Sequence, residues 1–524
     1  MDGCRRRWGC MASPEEHLIY IADAAASRSG SGESVGTRSD EEEDGSLPSK
    51  PHGDEEWIRE VENKMCRALL DSMLWPFQSP DERETTICKF TLGKEISRPR
   101  FATIGEFSQP RVVTIGPFHR QESTSISDDQ KWVIVCFMNL LCGLDLARCL
   151  VKMKEEAKKA RNSYSDLDIS QSSGPKDYTS FTEMLLLDSY FILFILTVKI
   201  RKRPAGYTLM PPTPDSANPL KLFRDDATKF LDIIFNKDEI ALDLLILDNQ
   251  IPFFVIEELF KELKLDKPLL EYALEFFEMI HPRSARHFID ENISPPKFLH
   301  LLDLFHWSRV PQNKYIEPII SSSSKQLDSI YWAPYTPNAM ELRESATMFE
   351  KKTSGSSSLD ITFRRRWFKH IIGVLDIPEL HIRDYSSFIF HNLIAFEMQS
   401  SSRGRCTVAF SALMRNFLQR EEDVKLLRQR GILVSSSMTD RQLIDLFARL
   451  SRLTENHQMP SDLFNICHQV LSHHNHPVNQ FCGSVIIRYF PSPLVTLSVS
   501  AAAVLFVLSL LQTIYAMISY HHLG

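Results

Sequence analysis

LVTLSVSAAAVLFVLSLLQTIYAMISY, Leu494–Tyr520, holds no Asp, Glu, Lys, Arg or His. A helix crosses the hydrocarbon layer of a bilayer with about 20 apolar residues, and this run has several to spare. Its polar members are mostly Ser and Thr, whose hydroxyls bond back to helix carbonyls. Gln512 is the one amide, and it favours a partner helix or a tilt toward the headgroups. Tyr489 and Phe490 flank one end, and Tyr515 and Tyr520 the other, as an interfacial aromatic belt requires. Pro491 and Pro493 break the chain just before the run. A core helix of a soluble body is the alternative, and a charge-free stretch this long argues against it. The run is read as one transmembrane helix, with the lipid bilayer as its partner through Leu494–Tyr520.

Topology follows from what flanks the run. The opening MDGCRRRWGCMASPEEH has no apolar core behind its arginines, so a secretory signal peptide is not expected. Only His521–Gly524 follow the apolar run, which predicts late insertion as a tail anchor and a cytosolic body. Arg488 before the run, with no Lys or Arg after it, agrees with the positive-inside rule. Asn292-Ile293-Ser294 is a glycosylation sequon only for a lumenal or extracellular body, and Pro295 disfavours its use. Gly3 is out of place for myristoylation, and Cys4 and Cys10 beside Arg5–Arg7 are read as part of an unmodified tail.

The composition sets the class of the remainder. Hydrophobic residues make up 43% and charged residues 24% of 524, ordinary values for a globular chain. The mean hydropathy of −0.19 leaves room for one span and not for many. A net charge of −7 supplies no global field for nucleic acid, so no nucleic-acid partner is expected. The ten cysteines form no CxxC pair and no zinc-ribbon spacing, which favours a reduced compartment.

Residues 1–54, rich in Ser, Gly and acidic side chains, are expected to be disordered. Residues 55–490 form the expected body. Trp57, Ile58, Val61, Met65, Leu69 and Met73 recur at helical spacing, and Trp75-Pro76 ends that helix. Lys131–Val151 is apolar with a helical period. Phe181–Ile200 resembles a second span, but Glu183 and Asp188 leave too short an uncharged run, so a buried core helix is expected. Ile240–Leu263 is an apolar run that carries Asp243 and Asp248 and is broken by Pro252. One helix is expected to stop near Gln250 or Ile251 and a second to start with Pro252 in its first turn, and Pro268 is expected in the first turn of the next. Thr439 and Gln442 have capping-box spacing before the apolar face of Leu443, Leu446, Phe447 and Leu450. Short strands are expected at Arg111–Ile115, Ile361–Phe363 and Leu380–Ile382. Loops are expected at Arg203–Pro219, Ser321–Pro337 and Ser354–Ser358. The fold class is mainly α: a large helical body with few short strands, a disordered N-terminal tail and one C-terminal transmembrane helix.

Candidate chemistry is sparse. Asp248-Asn249-Gln250 sits at a helix break, where such residues usually satisfy exposed backbone groups. Glu183 and Asp188 do not share a helix face well. His468, His473, His474 and His476 match no zinc spacing and read as a polar loop before the membrane. Arg364–Arg366, Lys369 and His370, interleaved with Trp367 and Phe368, read as a solvated helix face that would otherwise meet anionic lipid or an acidic partner. No Walker loop, GxSxG elbow, GxGxxG fingerprint, HExxH or kinase signature occurs. No catalytic, cofactor-binding or metal residues, and no cofactor, are assigned.

Ordered motifs along the chain carry a resemblance. They are QPRVVTIGPFHR (Gln109–Arg120), KW (Lys131-Trp132), FTEMLLLDSYFIL (Phe181–Leu193), DLLILDNQIPFFVIEELF (Asp243–Phe260) and HLLDLF (His300–Phe305). MELRESATMF (Met340–Phe349), IPELHIRDYSSFIFHNLIAFE (Ile377–Glu397), EDVKLLRQRGIL (Glu422–Leu433) and the terminal LLQTIYAMISYHH complete the series. Together they resemble the plant family called domain of unknown function 247. That resemblance implies plant origin, one C-terminal span and no established enzyme activity. Some grass members of the family are implicated in pollen–stigma self-incompatibility, as male determinants. Asp248 stands where the family usually has Glu, Phe118 where it has Tyr, and the tryptophans common before the span are missing from His473–Ile487. The expected function is that of a single-pass membrane-anchored plant protein acting in recognition or signalling through contacts with an unidentified protein. The alternative is an enzyme with an unrecognised site in the helical body.

Overall fold

A computed structural model of the chain describes residues 17–21, 52–74, 109–122, 124–164, 175–202, 237–282, 294–310, 336–352, 359–366, 371–400, 403–435, 437–453, 461–489 and 493–522. It divides into two compact units. The first comprises Met1–His281 with Ser294–His306, and the second Pro282–Ile293 with Trp307–Gly524. As the composition implies, the described residues are mainly helical with a few short strands. The loops expected at Arg203–Pro219 and Ser354–Ser358, and most of that at Ser321–Pro337, lie outside the described residues, as does the Asn292 side of the sequon. Of residues 1–54, only His17–Ile21 and the first turn of a helix from His52 are described.

In the first unit, β1 (His17–Ile21) is followed by α1 (His52–Leu74), α2 (Asp128–Cys142), α3 (Leu146–Arg161), α4 (Pro175–Thr197) and β2 (Val198–Lys202). Then come α5 (Lys237–Asp243), α6 (Phe253–Leu263) and α7 (Leu269–Phe277). The axis of this unit is α4, which packs against α2, α3, α6 and α7. Leu185, Leu186, Tyr190, Phe191 and Phe194 on it are fully buried. A helix apolar on every side belongs inside a core, where each such side chain contributes about 1.5–3 kcal/mol. The expectation of a core helix at Phe181 therefore holds through Thr197. Val198–Ile200 depart from it, because they belong to β2, which pairs antiparallel with β1 from Ile21↔Val198 to His17↔Lys202. The ends of α2 follow local chemistry: Ser127 and Gln130 form a capping box, and Gly143 closes the helix with φ 63°. Pro252 and Pro268 stand immediately before α6 and α7.

Helix α8 (Leu301–Arg309) carries the division between the units. In the second unit, α9 (Ala339–Glu344) leads into β3 (Thr347–Lys352), β4 (Thr362–Arg366) and β5 (Ile372–Pro378). β5 is central, parallel to β3 and antiparallel to β4. β6 (Leu380–Ile382) precedes α10 (Ser386–Gln399), α11 (Cys406–Phe417) and α12 (Glu421–Gln429). β7 (Leu433–Ser435) pairs parallel with β6. Next are α13 (Asp440–Leu453), α14 (Ser461–His474), α15 (Pro477–Tyr489) and α16 (Pro493–His522). Phe390 joins α10 to α11 and α13, with ring centroids 6.4 Å from Phe410 and 6.1 Å from Phe447. The capping box at Thr439 forms as expected: Gln442 N donates to Thr439 Oγ1 at 3.3 Å, and Thr439 N to Gln442 Oε1 at 2.8 Å.

Buried carboxylates tie the helix starts of this unit. Glu397 accepts from Thr407 N and Val408 N at 2.8 and 2.9 Å, at the start of α11. Asp423 accepts from Arg420 N at 2.8 Å and from Met340 N at 2.9 Å, joining the starts of α12 and α9. The first amides of a helix have no intrahelical partner, and a negative charge complements the dipole there.

Two described helices are long and apolar enough to cross a membrane. Thr179–Thr197, within α4, is 78% buried, as a core helix must be. Leu497–Ile518, within α16, spans 22 residues of mean hydropathy 2.1, and none of it is buried. At 1.5 Å per residue it reaches about 33 Å, against a hydrocarbon layer of about 30 Å.

Helix α15, just before α16, sits so close to the α9–β3 corner that only a glycine fits. A Cβ on Gly483 would lie 2.0 Å from the Glu344 carbonyl oxygen and 2.5 Å from Ala346 N. Both obstructing atoms are backbone, and Ala346 already holds a left-handed φ of 59°. Gly483→Ala is expected to lower unfolding free energy by about 1–3 kcal/mol, read from denaturant midpoints. A midpoint equal to that of the native chain would refute the close approach.

Candidate functional site

The segment Arg111–Gly116, buried from Val112 onward, runs through the first unit without being a strand. Its one ladder contact is an isolated bridge, Val113↔Ile126. The strand expected there does not form, because its backbone groups are taken by side chains from distant segments. A buried backbone must be paired, so each partner is informative.

Asp243, the last residue of α5, accepts from the amides of Arg111, Val112 and Val113 at 3.1, 2.7 and 2.9 Å. Asn249 accepts from Ile115 N at 2.6 Å and donates to the carbonyls of Val113 and Asp243 at 3.1 and 3.0 Å. Asp188, fully buried on α4, accepts from Gly116 N at 2.8 Å. Lys131, fully buried on α2, donates to Thr114 O and to Asp188 Oδ1, both at 2.6 Å. Arg120 reaches Asp188 Oδ2 at 3.2 Å and Asp128 at 2.7 Å. Gly116 takes φ 76°, and a Cβ there would lie 2.4 Å from Gln250 O. This turn therefore requires glycine.

The Asp248-Asn249-Gln250 triplet is divided among three tasks. Gln250 Nε2 donates to Leu244 O and Ile246 O at 2.8 and 2.7 Å, serving carbonyls at the C-terminal side of α5. Asn249 clasps the loop. Asp248 pairs with His119 Nε2 at 3.1 Å, while Glu122 holds His119 Nδ1 at 2.9 Å. The helix expected to stop near Gln250 or Ile251 ends at Asp243, so the triplet lies beyond it; its side chains satisfy backbone groups, as the structural reading has it, but do more than cap a helix.

The electrostatics follow this wiring. Burial opposes a charged imidazole at His119, yet the hydrogen bonds and charges of Asp248 and Glu122 outweigh it and hold its pKa up at about 9. Burial pushes the Asp243 carboxyl up to about 6, with the three amides pulling it back down. Burial also raises the Tyr164 phenol, which stays neutral and donates to Gln250 O at 3.1 Å. The arrangement positions a loop: its carboxylates and amides are engaged by backbone or ionic partners.

Other residues singled out by the sequence fall elsewhere. Glu183 and Asp188 stay apart: Glu183 accepts from Trp57 Nε1 at 3.3 Å and pairs with Lys64 at 3.1 Å. His468, His473 and His474 lie on α14 rather than in a loop, and His476 stands in the short break before α15. His473 is buried with its ring 5.6 Å from Phe363, and His474 Nδ1 lies 2.9 Å from Ser345 Oγ. No group of three His, Cys, Asp or Glu suited to a metal occurs among the described residues. Arg364–Arg366 are on β4, not on a helix: Arg364 pairs with Asp376 at 2.6 Å and Glu350 at 2.7 Å. Trp367–His370 lie outside the described residues. Sequence reading gave no role to Lys131, Asp243 or His119. For Lys131 and Asp243 the available signal was a charge set inside an apolar run; His119 carried no such signal.

Two measurements probe the clasp. Lys131→Met leaves a buried carboxylate short of a cation, and a loss of about 3–5 kcal/mol in unfolding free energy is expected. In a cycle with Asp188→Asn the double variant should lose less than the summed singles, by about 0.5–3 kcal/mol; strict additivity would dismiss the coupling. For His119 the folded pKa of about 9 exceeds the ordinary 6.5, so its stabilisation is full below 6.5 and is lost as pH climbs through 9. Denaturant midpoints should fall across that window, and His119→Gln should flatten the fall.

The clasp is built from the motif segments of the sequence, and comparison with known proteins places them. A UPF0481 protein of Arabidopsis thaliana is 25% identical over 296 residues, 54% of this chain and 60% of that protein. A putative UPF0481 protein of the same plant is 24% identical over 116 residues, 22% of this chain and 21% of that protein. The matched region thus covers less than two thirds of either relative. No solved structure matches the chain. The model of the family domain of unknown function 247, described as plant protein of unknown function, matches residues 101–508, and the chain belongs to that family.

Proposed function

We propose that the chain is a single-pass membrane protein whose body works in recognition or signalling through protein contacts. One observation carries the reading: Leu497–Ile518 is a continuous apolar helix with none of it buried, whereas the other helix of that class among the described residues is packed inside the body. Water is a poor solvent for such a surface, whereas a hydrocarbon layer matches its length and chemistry. Contact rather than turnover is favoured because the polar network around the Arg111–Gly116 loop is engaged in holding that loop. A reproductive self-incompatibility role is the narrower form of the same proposal, with the protein partner unidentified.

Alkaline carbonate washing of plant membranes tests the anchor. The full chain is expected to stay in the pellet, and a variant lacking Leu494–Tyr520 to move to the supernatant. Release of the full chain by carbonate would overturn the proposal.

A further inference from the structure

Three residues separate the end of helix α15 from the start of α16. Its inner side is fixed to the second unit. Gly483 meets the backbone at Glu344, and the buried Asn479 donates to His473 O at 2.9 Å. Its outer side shows Pro477, Val478, Gln480, Phe481, Ser484 and Ile486 to solvent. None of these is charged, and between His476 and His521 the sole Asp, Glu, Lys or Arg is Arg488.

A helix face turned to water normally carries charge. Here it carries Phe481, 71% exposed, with Val478 at 47% and Ile486 at 40%. Among the other body residues whose burial is described, no large apolar side chain is more than 48% exposed. The uncharged face continues in sequence into the uncharged apolar surface of α16. An occupant of the face must accept phenyl and aliphatic groups, offer no ionic partner and stand next to the span. The boundary between lipid headgroups and acyl chains has those properties, and amphipathic helices settle in it with their apolar face about 5–10 Å deep.

We infer that α15 lies along the surface of the bilayer that α16 crosses, with Phe481 and Val478 inserted at the headgroup–acyl boundary. The inference rests on the reading of α16 as a span. Because Gly483 seats α15 against the α9–β3 corner without a side chain between them, the second unit is held against the lipid in one orientation.

Brominated lipids test this with the full chain reconstituted in phosphatidylcholine vesicles. Phe481→Trp places an indole on the face, read as the emission added over the native chain, and Leu508→Trp reports the span. The expected result is loss of most of the Phe481→Trp signal with bromine at shallow acyl positions, and of the Leu508→Trp signal with bromine at deep ones. Quenching of the Leu508→Trp signal alone would overturn the surface helix and leave the anchor standing. A Phe481→Trp signal that shifts to the blue with protein density, without bromine quenching, would assign the face to a neighbouring protein and also overturn the inference. Quenching of neither indole would remove the anchor and the surface helix together.

Discussion

A carboxylate fully shut away from water must find cations or donors, and Asp188 imposes that demand at the middle of the first unit. It sits on α4, the helix around which α2, α3, α6 and α7 gather. Lys131 answers from α2, Arg120 and Gly116 N from the loop. The ion pair is thus less a source of net stability than a condition on geometry, since a buried charge tolerates few arrangements. Only a loop that turns at Gly116 and threads past Thr114 satisfies it. Asp243 and Asn249 then secure the rest of that loop, and Gln250 joins it to the start of α8 through Leu302 N at 3.3 Å.

The same device recurs in the second unit. Glu397 and Asp423 are both fully buried and both face peptide N–H groups at helix starts. Burial of an acid here is a way of joining elements far apart in sequence: Glu397 connects α10 to α11, and Asp423 connects α12 to α9. In the first unit Asp303, also fully buried, accepts from Leu299 N at 2.8 Å before α8. Acidic side chains thus do inside this protein what sheet ladders do elsewhere, and the fold gets by with few strands.

What the sequence discloses depends on the range of the interaction that decides it. Helix α4, the starts of α6 and α7, and the capping box at Thr439 are set by neighbours within a few residues, so periodicity and capping chemistry reveal them. Arg111–Ile115 has the β-branched composition of a strand, but Asp243 and Asn249 claim its backbone from more than a hundred residues away. Nothing local announces that. Arg364–Arg366 follow the converse path: a basic run suggests a wet helix face, and the pairing of β4 with β5 across Arg364↔Val374 makes it an edge of a sheet. The histidines of α14 likewise depend on Phe363 and Ser345, neither of which lies near them in sequence. The clasp was foreshadowed only at Asp188 and at Asp248–Gln250, where polarity interrupts greasy runs.

Asp188 has one more consequence, for transfer into lipid. It stands at the midpoint of Thr179–Thr197, the stretch whose length and apolarity would otherwise qualify it for the translocon. An aspartate at the centre of such a segment penalises its transfer into lipid by about 2.5–3.5 kcal/mol. Thr179–Thr197 and Leu497–Ile518 thus differ in charge: the first carries Glu183 and Asp188, and the second has no Asp, Glu, Lys or Arg. The acid that organises the folded core also makes its own helix a poor match for lipid.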